Sequence, residues 1–514
     1  MGSWKTGWEK SHLVIRRKPV KVCHSTTPLC EKHTDEDLAQ QWNAIDWATV
    51  RSDVNRLQTR IAKATDERKW NLVKRLSYLL THSHSAKLLA VRIVTQNKGK
   101  RTPGVDGELW STATEKMRAA LSLTDRQYRA QPSRRIYIPK PGKDTKRPIS
   151  IPTMYDRAMQ ALYALALQPI AETTADPRSF GFRLFRCAQD ASQYAFLCLS
   201  QKGSNKWILE GDIRGCFDTI SHDWLKNHIP MDQSILGQFL RAGFVFDQNL
   251  YPTDRGTPQG GLVSPIFANM TLDGMEAALK ERFPRTRIYL IRYADDFLVI
   301  TPTKEIAEEA KETIREFLAP RGLELSTEKT LITHIEDGFD FLGWNFRKFK
   351  GKLLIKPSVK SIKSIREKIT ATIHKAQAGT QDELIRILNP IIRGWANYHR
   401  HIVASGTFKA MDNHIWTVTW RWAKRRHTNK GKRWIARRYW HPEKGRKWMF
   451  KTKVNTLLKF EDIHIRRYAY PKLDANPYLD RNYFLERRER IKRQTPWLQT
   501  KLSFFASSRP SGGS

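Results

Sequence analysis

The sequence predicts a mixed α/β protein, and three stretches carry that expectation. Residues 287–292 and 297–300 are short runs rich in β-branched and aromatic side chains on either side of Tyr293-Ala294-Asp295-Asp296, a strand–turn–strand pattern. Residues 206–212 form a third such run, which ends in the carboxylate of Asp212. From Pro357 onward the apolar period changes. Ile362, Ile365, Ile369 and Ile373 recur at helical spacing, and further helices are expected over 384–399 and 408–422.

A chain of 514 residues is long enough for several domains. Its formal net charge of +39 implies a polyanionic partner, most simply nucleic acid. Seventeen Trp argue against a merely disordered basic chain. No long apolar run or signal-peptide pattern points to a membrane. Cys23, Cys30, Cys187, Cys198 and Cys216 are odd in number and scattered, which fits reduced thiols in a bacterial cytosol or an organelle matrix. Cys23, His24, Cys30 and His33 are of zinc-ligand type but lack a zinc-site spacing.

In chain order, residues 1–40 read as a basic lead-in. Val50, Val54, Leu57 and Ile61 mark a helix that starts near Asp46, and Trp70, Val73, Leu76 and Leu80 mark a second. The Gly- and Pro-rich stretch 97–107 is a loop of the kind that can lay N–H groups along a phosphate chain. Residues 134–151 predict two strands around a Pro-Gly turn. Lys140 and Arg147 stand near its two ends, with Lys143 and Lys146 as competing cations. A helix carrying Asp156, Arg157 and Gln160 follows. Pro258-Gln259-Gly260-Gly261 is a loop whose backbone can approach a base pair closely. Ile306, Ala310, Ile314 and Phe317 predict another helix, and residues 323–330 a returning strand and loop. Residues 338–346 form an aromatic hairpin. Residues 421–450 hold twelve Lys or Arg against the single acid Glu443, with four Trp interleaved, a pattern for RNA backbone contact plus stacking.

Two adjacent carboxylates at the tip of an apolar hairpin repel unless a cation neutralises them, and all-oxygen ligands suit Mg²⁺. Asp212 is the best candidate for a third ligand. With these blocks in this order, the chain resembles group II intron-encoded reverse transcriptase/maturases, in a form without the His-Asn-His nuclease: no Cys follows Cys216. The carriers are the 97–107 loop, Asp156-Arg157-x-x-Gln160, Ser179-Phe180-Gly181-Phe182-Arg183, Asp212 with Phe217, the Pro-Gln-Gly-Gly loop, Tyr-Ala-Asp-Asp and Arg393-Gly394-Trp395-Ala396-Asn397-Tyr398.

The resemblance implies a right-hand polymerase with α/β fingers and palm, a helical thumb and a basic C-terminal region. Its boundaries are 1–40 lead-in, 41–95 N-terminal helical extension, 96–350 fingers and palm, 351–440 thumb or maturase domain, and 441–514 DNA-binding region and tail. Two Mg²⁺ would sit on Asp212, Asp295, Asp296 and the Ile213 carbonyl. Lys140 and Arg147 would clamp the triphosphate. Phe217 would exclude a 2′-hydroxyl, though its residue type alone reads first as a core Phe, and Gln259 and Gly260 would face the nascent pair. Arg183 is either a template contact or a structural ion pair. Arg393, Trp395, Arg421, Lys424, Arg425, Arg426, Lys432, Arg433, Arg437 and Arg438 would bind nucleic acid. Lys329 is either a proton donor to the leaving pyrophosphate or, the favoured reading, a solvated lysine. The implied partners are the parent group II intron RNA, an RNA template–DNA primer duplex, target DNA and deoxynucleotides. A stand-alone reverse transcriptase in repair or phage defence and a non-enzymatic splicing factor are the alternatives.

Overall fold

The computed structural model describes residues 34–139, 146–443 and 445–494. The three candidate carboxylates lie at the edge of a four-stranded antiparallel sheet. Its order is Tyr289–Tyr293, Asp296–Thr301, Trp207–Asp212 and Leu331–His334. Successive side chains on a strand point to opposite faces, and here both faces are covered. Leu209, Leu290, Phe297 and Val299 enter one core, shared with the N-terminal helices and the helix Met154–Thr174. Ile208, Ile291, Leu298 and Ile300 enter a second, shared with the aromatic hairpin and the helices beyond residue 357. Double burial explains why these strands read as continuous apolar runs.

The helix expected from Asp46 runs Trp47–Asp66, with the Asp46 carboxylate capping the Ala48 and Thr49 amides. The second is Trp70–His82, and helices Asp35–Asn43, His84–Gln96 and Ala113–Ser122, which the apolar spacing did not single out, join them. The hairpin Ser133–Pro139 and Lys146–Ile151 forms as expected, with Ile138 opposite Arg147. Its sheet is extended by Phe244–Phe246 and Asn249–Tyr251. The 97–107 loop is folded onto the helix Met154–Thr174. Arg157 donates to the Gly99 and Thr102 carbonyls at 3.1 and 2.7 Å, and a β-carbon at Gly104 would sit 2.7 Å from Thr153 Cα.

The expected return strand starts later, at Leu331. Before it, Leu325 makes one bridge with Ile213 and the chain turns at 326–330. The aromatic hairpin pairs Phe339–Phe341 with Trp344–Phe349, and Lys352–Pro357 completes its sheet. Trp344 is fully buried; it stacks on Tyr398 and donates to His399 Nδ1 at 2.9 Å, which locks this sheet to the helical region. The helices there are Val359–Lys375, Gln381–His399, Ser405–Arg426 and the shorter Lys432–Tyr439.

Candidate active site and nucleic-acid surface

The strand ending at Asp212 is paired in register with the strand beginning at Asp296, so the two carboxylates face each other across the sheet edge. Ala294 makes the tight turn with φ of 58°, a left-handed conformation that non-glycine residues adopt at a cost. The turn rests on the segment Ser179–Arg183. Phe180 N–H donates to the Arg292 carbonyl at 2.8 Å, and Gly181 passes so close that any β-carbon there would overlap the Ala294 amide. Gly211 serves the neighbouring strand similarly, since a β-carbon would enter the Phe297 ring.

The electrostatics are those of crowded carboxylates. Burial pushes Asp295 above the ordinary carboxylate range, with repulsion from Asp212 adding to it and Lys329 and Arg147 opposing it. Asp296 is exposed at its tip, yet the surrounding protein and then Asp295 and Asp212 push it up to about 7. The Lys329 ammonium is ion-paired with Asp212, and that bond raises its own pKa. The expectation of a freely solvated Lys329 is therefore corrected. The turn at 326–330, tied by Ser326 N–H to the Asp212 carbonyl at 2.8 Å, delivers Lys329 to the site. Nothing local signalled this, because the two residues are 117 positions apart.

Among the described residues no group of three His, Cys, Asp or Glu side chains is arranged as a ready metal cage. The donor chemistry nevertheless fits a divalent cation. The donors are hard oxygens, and the protein's own ammonium stands where positive charge is needed. In the Ile213–Leu325 bridge the hydrogen bonds use the Asp212 carbonyl and the Arg214 N–H, not the Ile213 carbonyl.

Phe217 lies on the short helix Cys216–Thr219, half-buried, with its ring centroid 6.1 Å from that of Phe182 in an edge-to-face arrangement. The Pro-Gln-Gly-Gly loop is fastened around that helix. Thr257 N–H donates to the Phe217 carbonyl at 2.6 Å, and Gln259 Nε2 to Asp218 at 3.1 Å. Ser150 N–H donates to the Gln259 carbonyl at 2.7 Å, and Gly260, at φ of 115°, lies against Ser150. Gln160 holds the loop from the other side, accepting from Leu262 N–H at 2.8 Å. Arg147 is exposed on the hairpin. Lys140 and Lys143 lie outside the described residues, as do Cys23, His24, Cys30 and His33.

Arg183 is not at a nucleic-acid surface. It is buried, pairs with Glu172 at 2.9 Å and donates to the Asp176 carbonyl at 2.9 Å. Trp395 also turns inward, donating to Ser361 Oγ at 3.1 Å with its ring against Phe408 and Phe460. Arg393 is half-buried.

The basic tract is split by its helices. Arg421, Lys424, Arg425 and Arg426 are exposed near the end of the helix Ser405–Arg426, and Lys432, Arg433, Arg437 and Arg438 on the helix Lys432–Tyr439. Of the four interleaved Trp, Trp422 and Trp440 are core, whereas Trp434 and Trp448 are 41% and 53% exposed. Arg421, Arg425, Arg426, His374 and His414 line a cavity of about 500 Å³ beside this surface.

A carboxylate-tipped hairpin in a sheet covered by helices, with a basic helical region behind it, defines a nucleic-acid polymerase. Residues 138–346 match the family described as reverse transcriptase (RNA-dependent DNA polymerase), 42–123 the N-terminal domain of reverse transcriptase, and 362–440 the group II intron maturase-specific domain. Protein YkfC of Escherichia coli K12 is 31% identical over 299 residues, covering 49% of this chain and 78% of that protein. The group II intron-encoded protein LtrA of Lactococcus lactis is 28% identical over 409 residues, covering 60% and 68%. Among solved structures, telomerase from Candida albicans with a fragment of telomeric RNA matches at TM-score 0.35 and 12% identity, over 60% of this chain and 65% of that one. The chain belongs to the group II intron-encoded reverse transcriptase/maturase family, and it is an RNA-directed DNA polymerase with a maturase domain. Family membership implies RNA and other nucleic acid as partners and divalent metal as cofactor. Among the described residues no helix is long and apolar enough to cross a membrane.

Proposed function

We propose that Asp212, Asp295 and Asp296, with the Ile213 carbonyl, hold two Mg²⁺ and that this site extends a DNA primer along an RNA template. The observation that carries the reading is the gathering of the three carboxylates around the Lys329 ammonium, a cluster short of positive charge. When bound there, Mg²⁺ supplies Lewis acidity to the primer 3′-hydroxyl and to the leaving oxygen. The residues around it do the rest. Arg147, together with Lys140, neutralises the triphosphate. Phe217 packs under the sugar and rejects a 2′-hydroxyl. The Gln259–Gly260 loop, fastened on three sides, keeps the nascent pair's floor rigid.

The exposed cations from Arg421 to Arg438, with Trp434 between them, hold the parent group II intron RNA. Splicing then needs no catalytic side chain, because the RNA does the chemistry in the fold the protein stabilises. Copying the intron from a primer at a DNA target makes the same protein an agent of intron mobility. The maturase-specific match at 362–440 favours this over a stand-alone polymerase. The test is Asp295→Ala in primer extension on an RNA template with Mg²⁺. Extension should fall below detection while RNA affinity stays within about twofold; persisting extension would refute the metal-site assignment.

A further inference from the structure

Residues 463–494 do not project from the body as a free basic tail. Arg466 N–H donates to the Arg400 carbonyl at 2.9 Å, at the thumb. The chain then crosses the palm, where Arg186 donates to the Leu473 carbonyl at 2.8 Å. It reaches the fingers side, where Asn476 Nδ2 donates to Thr173 Oγ1 at 2.9 Å and Thr59 Oγ1 to the Tyr478 carbonyl at 3.3 Å. The helix Arg481–Gln494 returns to the palm and inserts Arg487 into it.

That insertion is a buried polar network. The side chains of Arg487 and Asp190 are 4% and 0% exposed and pair at 2.6 Å. Tyr468 donates its hydroxyl to the same carboxylate at 2.9 Å. The other Asp190 oxygen accepts Cys187 N–H at 2.8 Å and so caps the helix Ala188–Leu199. Arg487 also donates to the Phe185 carbonyl at 2.9 Å, and Phe484 stacks on the Phe185 ring.

The loop gripped in this way is the one beneath the catalytic turn. Within it Phe182 and Phe185 both hold left-handed backbone, at φ of 58° and 57°, a costly conformation that persists only where surroundings enforce it. Gly181 abuts Ala294, and the rings of Phe182 and Phe217 meet edge to face. We propose that residues 463–494 are a strap of the polymerase itself and that Arg487 is a positioning residue, setting the Gly181–Phe185 loop so that the Asp295–Asp296 turn and Phe217 are in register. The proposal goes beyond the polymerase assignment and rests on it. It gives this segment a role in nucleotide selection, distinct from contact with target DNA.

The test uses the full chain with Arg487→Gln and the double variant Asp190→Asn/Arg487→Gln. The double variant removes the buried charge that the single one leaves unpaired, while the carboxamide introduced by Asp190→Asn keeps an acceptor for Cys187 N–H. Single-nucleotide incorporation on an RNA template is measured with deoxy- and ribonucleotides, alongside melting temperature and RNA affinity. Arg487→Gln should lower kcat at least tenfold and deoxy-over-ribo discrimination at least fivefold, with RNA Kd within twofold of wild type. The double variant should regain the melting temperature but not the discrimination, because the bond to the Phe185 carbonyl is still missing. A folded double variant with wild-type kcat and discrimination would overturn the proposal. So would loss of nucleic-acid affinity with unchanged turnover of bound complexes. A wild type that fails to extend primers would overturn the polymerase assignment as well, which separates the two failures.

Discussion

Substituting Gly181 with alanine adds a single methyl group against the Tyr293–Ala294 backbone of the Asp295–Asp296 turn, and its consequence can be worked from the contacts. The new β-carbon would overlap the Ala294 amide nitrogen and lie 2.9 Å from the Tyr293 carbonyl carbon and 3.1 Å from Ala294 Cα. All three are backbone atoms, so no side chain can swing away. Carbon atoms pack at about 3.5–4.0 Å, so the hairpin and the loop must separate by about 1 Å. Overpacking of this kind costs about 1–3 kcal/mol of stability. A displacement of about 1 Å at reacting groups costs about 10²-fold in rate, or about 2.7 kcal/mol of transition-state stabilisation. Gly181→Ala should therefore fold with a lowered melting temperature and extend primers about a hundredfold more slowly at saturating nucleotide, with RNA affinity unchanged. Single-turnover incorporation reads the chemical step directly. Incorporation within threefold of wild type would refute the claim that this glycine sets the height of the catalytic turn.

Arg183→Ala should act on stability rather than on template affinity. Removing one partner of a buried pair leaves Glu172 uncompensated and costs about 3–5 kcal/mol; a specific loss of template binding in a stably folded variant would contradict this. RNA affinity should fall steeply with salt, with log K dropping about 0.7 per log unit of salt for each phosphate neutralised. Removing Arg421 and Arg425 together should flatten that slope by more than one unit in a salt titration, whereas Trp422→Phe should leave it unchanged. Asp412, on the helix Ser405–Arg426, accepts Phe460 and Glu461 N–H groups, and burial pushes its carboxyl up to about 6. A carboxyl raised on folding adds stability that is fully present below its unfolded value and lost as pH rises through 6. Between pH 5 and 7 the wild type should lose about 1 kcal/mol relative to Asp412→Asn in paired denaturant titrations; parallel pH curves would show that the carboxyl titrates normally.

The sequence by itself determined the local elements. Apolar runs at 206–212 and 287–300 became the palm strands, and the spacing of Ile362 to Ile373 became the helix Val359–Lys375. Their periods report burial directly, which any window of ten residues can carry. The Asp-Asp turn and the glycines of the Pro-Gln-Gly-Gly loop were legible for the same reason: their backbone geometry is local. What only the tertiary structure decided was where polar and aromatic side chains went once the elements were packed. Arg183 and Arg421 look alike in sequence, but one meets Glu172 inside the protein and the other stays in solvent. Trp422 and Trp434 sit in the same basic tract, but one fills a core beneath Ala376 and the other is left exposed. Lys329 finds Asp212, and Arg487 finds Asp190 across 297 positions. A charge or ring can be satisfied by water or by a partner, and local spacing says nothing about which. The choice is made by residues 11 to 297 positions away that the fold brings within about 3 Å.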